Sequence, residues 1–523
     1  MSRFLQRIRR RSGMALLLLC SACWAGPWVQ EGRPAPEAHE ALQLLEAAGS
    51  HGLEPHDYGT EALLGVLQRL EQAADADIQA GEQFQQALDT ALQRYLRELH
   101  GGRVDPAALY PGWKHPTPDA FDPAAALAAA LAQHRLQDAV NAAAPALPQY
   151  QQLRTALERY RRLEAHPAWA QPLPPLPTRP RSRDSAAALE PGLAWVGLPL
   201  LAQRLQALGD LPSGPVPPRY EGVLVEAVRS FQRRHGLHAD GLLGRDSRAA
   251  LEVPPAARAR QIALTLERLR WTPLLRASRM VVVNLPEFVL RAYEVRAGRI
   301  ELRLEMKVII GKALDTRTPL LDQDMRAIEF SPYWNVPPSI ARGELVPRLR
   351  RDPAYWAREG FEFVAADGSV ESTLTTARLN AVLAGALRIR QRPGPRNALG
   401  DIKFVFPNAE NIYLHHTPAT ALFARERRDF SHGCIRVEQP AELAAFVLEG
   451  QPGWDAARIR EAMARGESST LRLQRPLPVL IAYGTALVKG GQAYFFEDLY
   501  GHDRVLDAAL RNRPVPPLPE PAR

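Results

Sequence analysis

The chain has 523 residues, more than one hydrophobic core accommodates, so roughly two to four domains are expected. Its 46% hydrophobic and 23% charged residues describe a folded protein and exclude a wholly disordered one. The formal charge is +8, but residues 1–25 hold Arg3, Arg7, Arg9, Arg10 and Arg11 and no acid, so the remainder carries +8 less 5, or +3, which excludes the concentrated basic face of a nucleic-acid binder.

The N-terminus is Arg-rich, then apolar from Met14 to Cys20, then mostly small from Ser21 to Ala25. This is the pattern of a secretory signal, too short for a membrane span, and no later run of 18 or more apolar residues follows. Cleavage near Ala25 would give an exported protein. Cys20-Ser21-Ala22-Cys23 also resembles a lipoprotein signal with Cys23 lipidated, and an uncleaved leader would tether the chain. Beyond the leader one thiol remains, Cys434. In an oxidising compartment an unpaired cysteine is either a buried inert residue or a nucleophile.

Residues 35–190 read as a helical scaffold domain ending in a Pro-rich linker. Phe84, Leu88, Leu92, Tyr95, Leu96 and Leu99 share one helical face, Gly101-Gly102 stops the helix, and six prolines fall between Pro167 and Asp184. Residues 193–254 predict a three-helix unit with Phe231, Leu237 and Leu251 in its core and Asp240-Gly241 in a tight turn. This pattern resembles the peptidoglycan-binding module of cell-wall enzymes.

From 260 to 510 the period becomes that of strands, at Met280–Asn284, Phe288–Glu294, Ile300–Val308, Met325–Phe330, Asp401–Phe406 and Val479–Tyr483. Within this β region, 339–392 is charged and helical in pattern (Ile340 to Arg350, Thr376 to Leu387), which predicts an inserted helical capping subdomain, a lid that would exclude water. Residues 511–523, with five prolines from Pro514 to Pro521, are expected to be disordered.

The chemistry concentrates in Tyr413-Leu414-His415-His416-Thr417 and Ser431-His432-Gly433-Cys434-Ile435-Arg436. A thiol is a weak nucleophile until a base takes its proton or nearby cations favour the thiolate, and three histidines with Arg425, Arg427, Arg428 and Arg436 lie close in sequence. Gly433 permits a backbone that exposes the thiol and turns amides toward an oxyanion. The alternatives are an inert core thiol and a zinc site, although His-His followed at distance by His-x-Cys is no standard zinc spacing. Arg425, Arg427 and Arg428 read either as a solvated face or as contacts for an acidic substrate, and Trp334 as either core or site lining.

His415 with Ser431-His432-Gly433-Cys434 resembles the signature of the L,D-transpeptidases, the YkuD-type cysteine enzymes of the bacterial cell wall. The scaffold, the binding module, Ser331–Pro338 and Pro393–Gly400 resemble the large periplasmic YcbB-type subgroup. The resemblance implies a multi-domain α+β protein with a mainly-β catalytic domain. It implies Cys434 as nucleophile, His415 as general base oriented by the His416 carbonyl, Tyr413 lining the site, Gly433 in the oxyanion hole, and Arg436, His432 and Trp334 toward substrate.

The implied reaction needs no metal or cofactor. Cys434 acylates on a tetrapeptide stem with loss of terminal D-alanine, and a neighbouring stem's amine resolves the thioester into a 3→3 cross-link; carbapenems are expected to acylate the same thiol. The implied location is the periplasm. The implied partners are peptidoglycan stem peptides and glycan, with other cell-wall synthases, and no nucleic acid. Stem exchange or hydrolysis, lipoprotein attachment, and a non-catalytic wall-binding scaffold remain as alternatives.

Overall fold

The computed structural model describes residues 26–113, 121–177, 187–274, 277–314 and 316–514. The leader, residues 178–186 of the Pro-rich stretch and the prolines beyond Pro514 lie outside them.

The N-terminal layer is helical, built around α1 (Pro36–Glu46), α2 (Thr60–Gln72), α3 (Ile78–Gly101) and α4 (Pro148–Arg162). The expected face of α3, Phe84 to Leu99, is buried, as a stripe at three- and four-residue spacing dictates. Asp77 caps α3 by accepting from Ala80 N at 2.9 Å. In the stretch expected as a linker, Leu173 and Leu176 are buried, and the Trp195 indole donates to Pro175 O at 2.9 Å.

The small helical unit comprises α5 (Leu198–Leu208), α6 (Val223–Arg234) and α7 (Arg245–Glu252). Phe231 and Leu251 are in its core, but Leu237 is only half-buried, and Leu243 fills that place. The reason is the buried amide of Gln232. It donates to Asp240 Oδ1 and Leu242 O, both at 2.9 Å, and accepts from Gly241 N, folding the turn so that Leu243 points inward. The unit abuts a two-stranded hairpin near the end of the chain (Ala486–Lys489 paired with Gln492–Phe495): Arg234 donates to Ala493 O at 2.5 Å, and the His235 ring stacks on Phe231 and Phe495.

Helix α8 (Pro255–Arg270) joins the layers and carries charge into the core. Glu267 is fully buried and pairs with Arg270 at 2.6 Å and with Arg103. Arg268 pairs with Asp503. Buried charges persist only where such partners offset their desolvation.

The C-terminal half of the chain adds strands in chain order. They are β1 (Arg279–Asn284), β2 (Val289–Arg296), β3 (Arg299–Gly311), β4 (Leu321–Phe330), β5 (Trp334–Asn335), β6 (Phe361–Val364), β7 (Val370–Glu371) and β8 (Arg388–Gln391), then β9 (Ile402–Val405), β10 (Leu414–His415), β11 (Asp429–Ser431), β12 (Ile435–Val437) and β13 (Ser469–Ala482). Nine of these form a mixed sheet in the order β11-β3-β12-β10-β9-β4-β13-β1-β2, and β2 also pairs with β3, so the sheet closes on itself. Two expectations change here. In β3 the fully buried positions are confined to the end from Met306 to Gly311; Ile300 and Leu304 are only half-buried, and Leu302 is 52% exposed. Strand β13 begins ten residues before Val479, since its first half offers only Leu471 and Leu473, both half-buried, among exposed polar residues.

The insert is not purely helical. Strands β5, β8, β6 and β7 form a separate four-stranded sheet in that order, packed with Leu349, Trp356, Phe363 and Ile389 into a core of its own. Phe361-Glu-Phe-Val and Arg388-Ile-Arg-Gln alternate as strands do, but four residues among many arginines leave a weak pattern. The helix expected from Ile340 to Arg350 is a composite with a π turn at Ala341–Leu345, and the later one stops at Leu383. Nor is the chain end free from 511: the last helix runs His502–Asn512, and Arg513 pairs with Asp57 and Glu98, each at 2.6 Å.

Candidate active site

Cys434 sits in the tight turn between β11 and β12, and it is half-buried. Gly433 holds φ +114°, and a Cβ there would stand 3.2 Å from Ile412, so the turn needs glycine. Ser431 Oγ donates to Cys434 O at 2.5 Å and accepts from Gly433 N at 3.2 Å. The Gly433 amide is thus engaged by Ser431 in this state, which differs from its expected place in an oxyanion hole. Behind the turn, Thr318 Oγ1 donates to Gly433 O at 2.6 Å and accepts from Gly311 N at 2.9 Å. Tyr500 OH donates to Gly311 O at 2.6 Å. Gly311 admits this loop because a Cβ would fall 1.9 Å from Thr316 O.

His415 ends β10, which pairs parallel with β12 so that His415 faces Arg436 and Leu414 faces Ile435. Leu414 and Ile435 are buried in the core, which sends His415 and Arg436 to the opposite face. Tyr413, two residues before His415, shares that face; its ring centroid is 5.7 Å from that of His415. The Tyr413 main chain and phenol also interact with the Cys434 thiol, so Tyr413 touches both expected reactive residues. Asn408 clamps the preceding loop, accepting from Ile412 N at 2.9 Å and donating to Ile412 O at 2.7 Å. Asn411, at φ +54°, turns its carbonyl to the thiol, which donates to it at 3.6 Å.

The His415 Nδ1 contacts His416 O at 2.5 Å. A carbonyl only accepts, so Nδ1 carries the proton and Nε2 the free lone pair. Burial first, then the Arg436 charge, lowers the His415 pKa to about 3. Burial pushes the Cys434 thiol up, opposed by hydrogen bonding from Tyr413 and by the charges of Lys403 and Arg436. The resting pair is therefore a neutral imidazole and a neutral thiol. This reverses the expectation of a lowered thiol pKa, because desolvation outweighs the cations.

The other expected residues divide. His416 turns away from the thiol to Asp401, at 2.7 Å. His432 Nε2 meets Glu344 of the insert at 2.6 Å, joining the Cys434 turn to the insert's π turn. Arg436 Nε is buried without a hydrogen-bond partner among the described residues. Trp334 lies in β5 opposite Gln391 and packs toward Phe361, which places it in the insert's own sheet. Arg428 is no solvated residue: it is buried and donates to the carbonyls of Val308, Arg425, Glu426 and Phe288. Arg427 pairs with Asp429 and Glu497. The three histidines are thus committed to three different oxygen partners, and among the described residues no group of three His, Cys, Asp or Glu is placed to hold a metal.

Sequence reasoning missed Lys403, Asn408, Asn411, Thr316, Thr318 and Tyr500. For Lys403 a signal existed: Ile402, Phe404 and Phe406 are core positions of a strand, which sends Lys403 to the other face with His415.

The chain matches the family described as "L,D-transpeptidase catalytic domain" (YkuD) over residues 278–454, "Scaffold domain" over 25–157 and "Putative peptidoglycan binding domain" over 198–251. It is 31% identical over 252 residues to a Haemophilus influenzae protein described as "Putative L,D-transpeptidase", covering 48% of this chain and 50% of that one, so the chain spans about half the length of the curated relative it matches. A solved fused Zn-dependent amidase/peptidase/peptidoglycan-binding protein from Clostridium acetobutylicum covers 27% of this chain and 70% of its own at 13% identity, with a TM-score of 0.12, too low to define a shared fold. The turn that presents Cys434, the strand that ends in His415 and eight of the nine strands of the closed sheet fall inside the first of these matches, and the chain carries a YkuD-type L,D-transpeptidase catalytic domain together with a peptidoglycan-binding domain.

Proposed function

We propose that this protein forms 3→3 cross-links in peptidoglycan through a Cys434 acyl-enzyme. The observation that carries the reading is the arrangement of Tyr413 between Cys434 and a neutral His415 whose Nδ1 is fixed by the His416 carbonyl. The free Nε2 takes the thiol proton as Sγ attacks the carbonyl of the third residue of a tetrapeptide stem. Collapse breaks the C–N bond, and D-alanine leaves with the proton returned by His415. An amine on a neighbouring stem then attacks the thioester, the C–S bond breaks, and the thiol regains its proton. Residues 1–25 serve as the export leader in this reading, which puts the reaction in the periplasm, with peptidoglycan stems and glycan as substrate.

The test is intact-mass analysis of the purified protein with a carbapenem, followed by muropeptide analysis of cells with and without the gene. An adduct lost in Cys434→Ala and a fall in 3→3 dimers support the reading. An adduct with unchanged dimers and another shifted product assigns stem exchange or lipoprotein attachment instead. No adduct on folded protein leaves a wall-binding scaffold.

A further inference from the structure

Four strands place Glu329, Lys403, His415 and Arg436 in one row. Lys403 stands opposite Glu329 across β4–β9 and opposite His415 across β9–β10, and Arg436 stands opposite His415 across β10–β12. Residues directly opposite one another project from the same face, and neighbouring strands are ~4.8 Å apart. The base therefore has a cation on each flank. The Lys403 ammonium lies 4.5 Å from the centroid of the Tyr413 ring and 3.1 Å from Glu329, with its side chain 18% exposed. The row holds two positive charges and one negative, beside a thiol and an imidazole that are both neutral. Glu329 answers Lys403, while Arg436 Nε has no partner among the described residues. A surplus positive charge facing an uncharged nucleophile suits an electrophile that brings its own negative charge.

We propose that Lys403 is a substrate-recruiting cation of this site: with Arg436 it draws a carboxylate-bearing acyl donor to Cys434 and holds that carboxylate while Sγ attacks. The assignment deepens the transpeptidase reading and rests on it for the identity of the donor, a peptide ending in a free carboxylate. The charge preference itself requires only that Cys434 be an accessible nucleophile.

The experiment compares two alkylating agents of the same size on the full-length protein at one pH and low salt, with modification of Cys434 followed by peptide mass mapping. Iodoacetamide is neutral and iodoacetate anionic. In each case Sγ displaces iodide, a C–S bond replaces the C–I bond, and the thiol proton passes to His415 or solvent. The iodoacetamide rate reports access and thiolate supply, and the iodoacetate-to-iodoacetamide ratio reports anion recruitment. Lys403→Met is expected to lower that ratio roughly threefold or more. Lys403→Arg is expected to keep it, Glu329→Gln to raise it, and added salt to erase the difference. An unchanged ratio in a Lys403→Met protein that still reacts with iodoacetamide overturns the proposal. If that variant does not fold, an unchanged ratio in Glu329→Gln together with no salt dependence in the unaltered protein overturns it equally. Because no wall substrate is involved, absence of cross-linking activity would leave this result standing.

Discussion

The His416 carbonyl and the His415 ring, in adjacent residues, meet at 2.5 Å, so the ring is oriented by the backbone of its own strand end. No acidic side chain is required to set its tautomer. Because His415 stays neutral down to about pH 3, alkylation of Cys434 is expected to show no step near pH 6.5. Because burial raises the thiol, the rate is expected to be still climbing at about pH 8.5, where an ordinary cysteine is half ionised. A pH–rate profile with iodoacetamide checks both; a plateau above pH 7 would contradict them.

Thr318 is fully buried and spans Gly311 N and Gly433 O. Thr318→Val keeps the shape and strands both groups, which is expected to cost about 1–3 kcal/mol. The displaced turn is expected to slow Cys434 acylation by roughly tenfold or more. Thermal melts and carbapenem adduct kinetics measure the two effects separately.

Glu344 and His432 join the insert to the Cys434 turn at 2.6 Å, and both are partly exposed. Glu344→Gln is therefore expected to change global stability by under about 1 kcal/mol. Its effect is local: amide exchange across 338–351 is expected to accelerate while that of β9 and β4 stays constant. Hydrogen-exchange mass spectrometry reads both regions in one experiment.

Four histidines are held neutral by burial, His51 and His415 with pKa lowered to about 3, His502 to about 4, and His235 well below its ordinary value. Their unfolded pKa is about 6.5, so below that the unfolded chain binds protons the folded one refuses. Stability is complete above pH 6.5 and falls as pH drops toward 4, by up to about 1.4 kcal/mol per pH unit for each ring. Urea titrations at pH 7.5, 6 and 5 are expected to show this slope.

Arg513 closes the C-terminus onto the scaffold through Asp57 and Glu98, which are 7% and 13% exposed in their side chains. Arg513→Ala is expected to destabilise the protein by roughly 3 kcal/mol, because two carboxylates stay buried with fewer partners. Truncation after Pro514 is expected to be neutral by comparison. Denaturation midpoints of the two variants decide it.

The candidate pair Cys434 and His415 could be singled out because the chemistry expected of it is compressed into two short motifs, and the face of α3 was legible because its apolar residues repeat at helical period. The partners of the pair were not. Thr318 and Tyr500 reach Gly433 and Gly311 from far along the chain, and nothing local in either residue announces a hydrogen bond that only the closed sheet creates. The insert's strands escaped because four-residue segments crowded with arginine alternate too briefly to outweigh the helical signal around them. The thiol's direction of shift escaped for a related reason: sequence shows the cations near Cys434 but not how deeply the turn is desolvated.

The stacking of His235 between Phe231 and Phe495, with Arg234 anchored on Ala493, ties the small helical unit to the hairpin that follows the closed sheet. A glycan strand gripped there would be presented to Cys434 at a constant offset, as a workpiece is by a jig. Under the proposed reaction such a tool would join stems at one set reach, and would imprint its own dimension on the spacing of the bonds it makes.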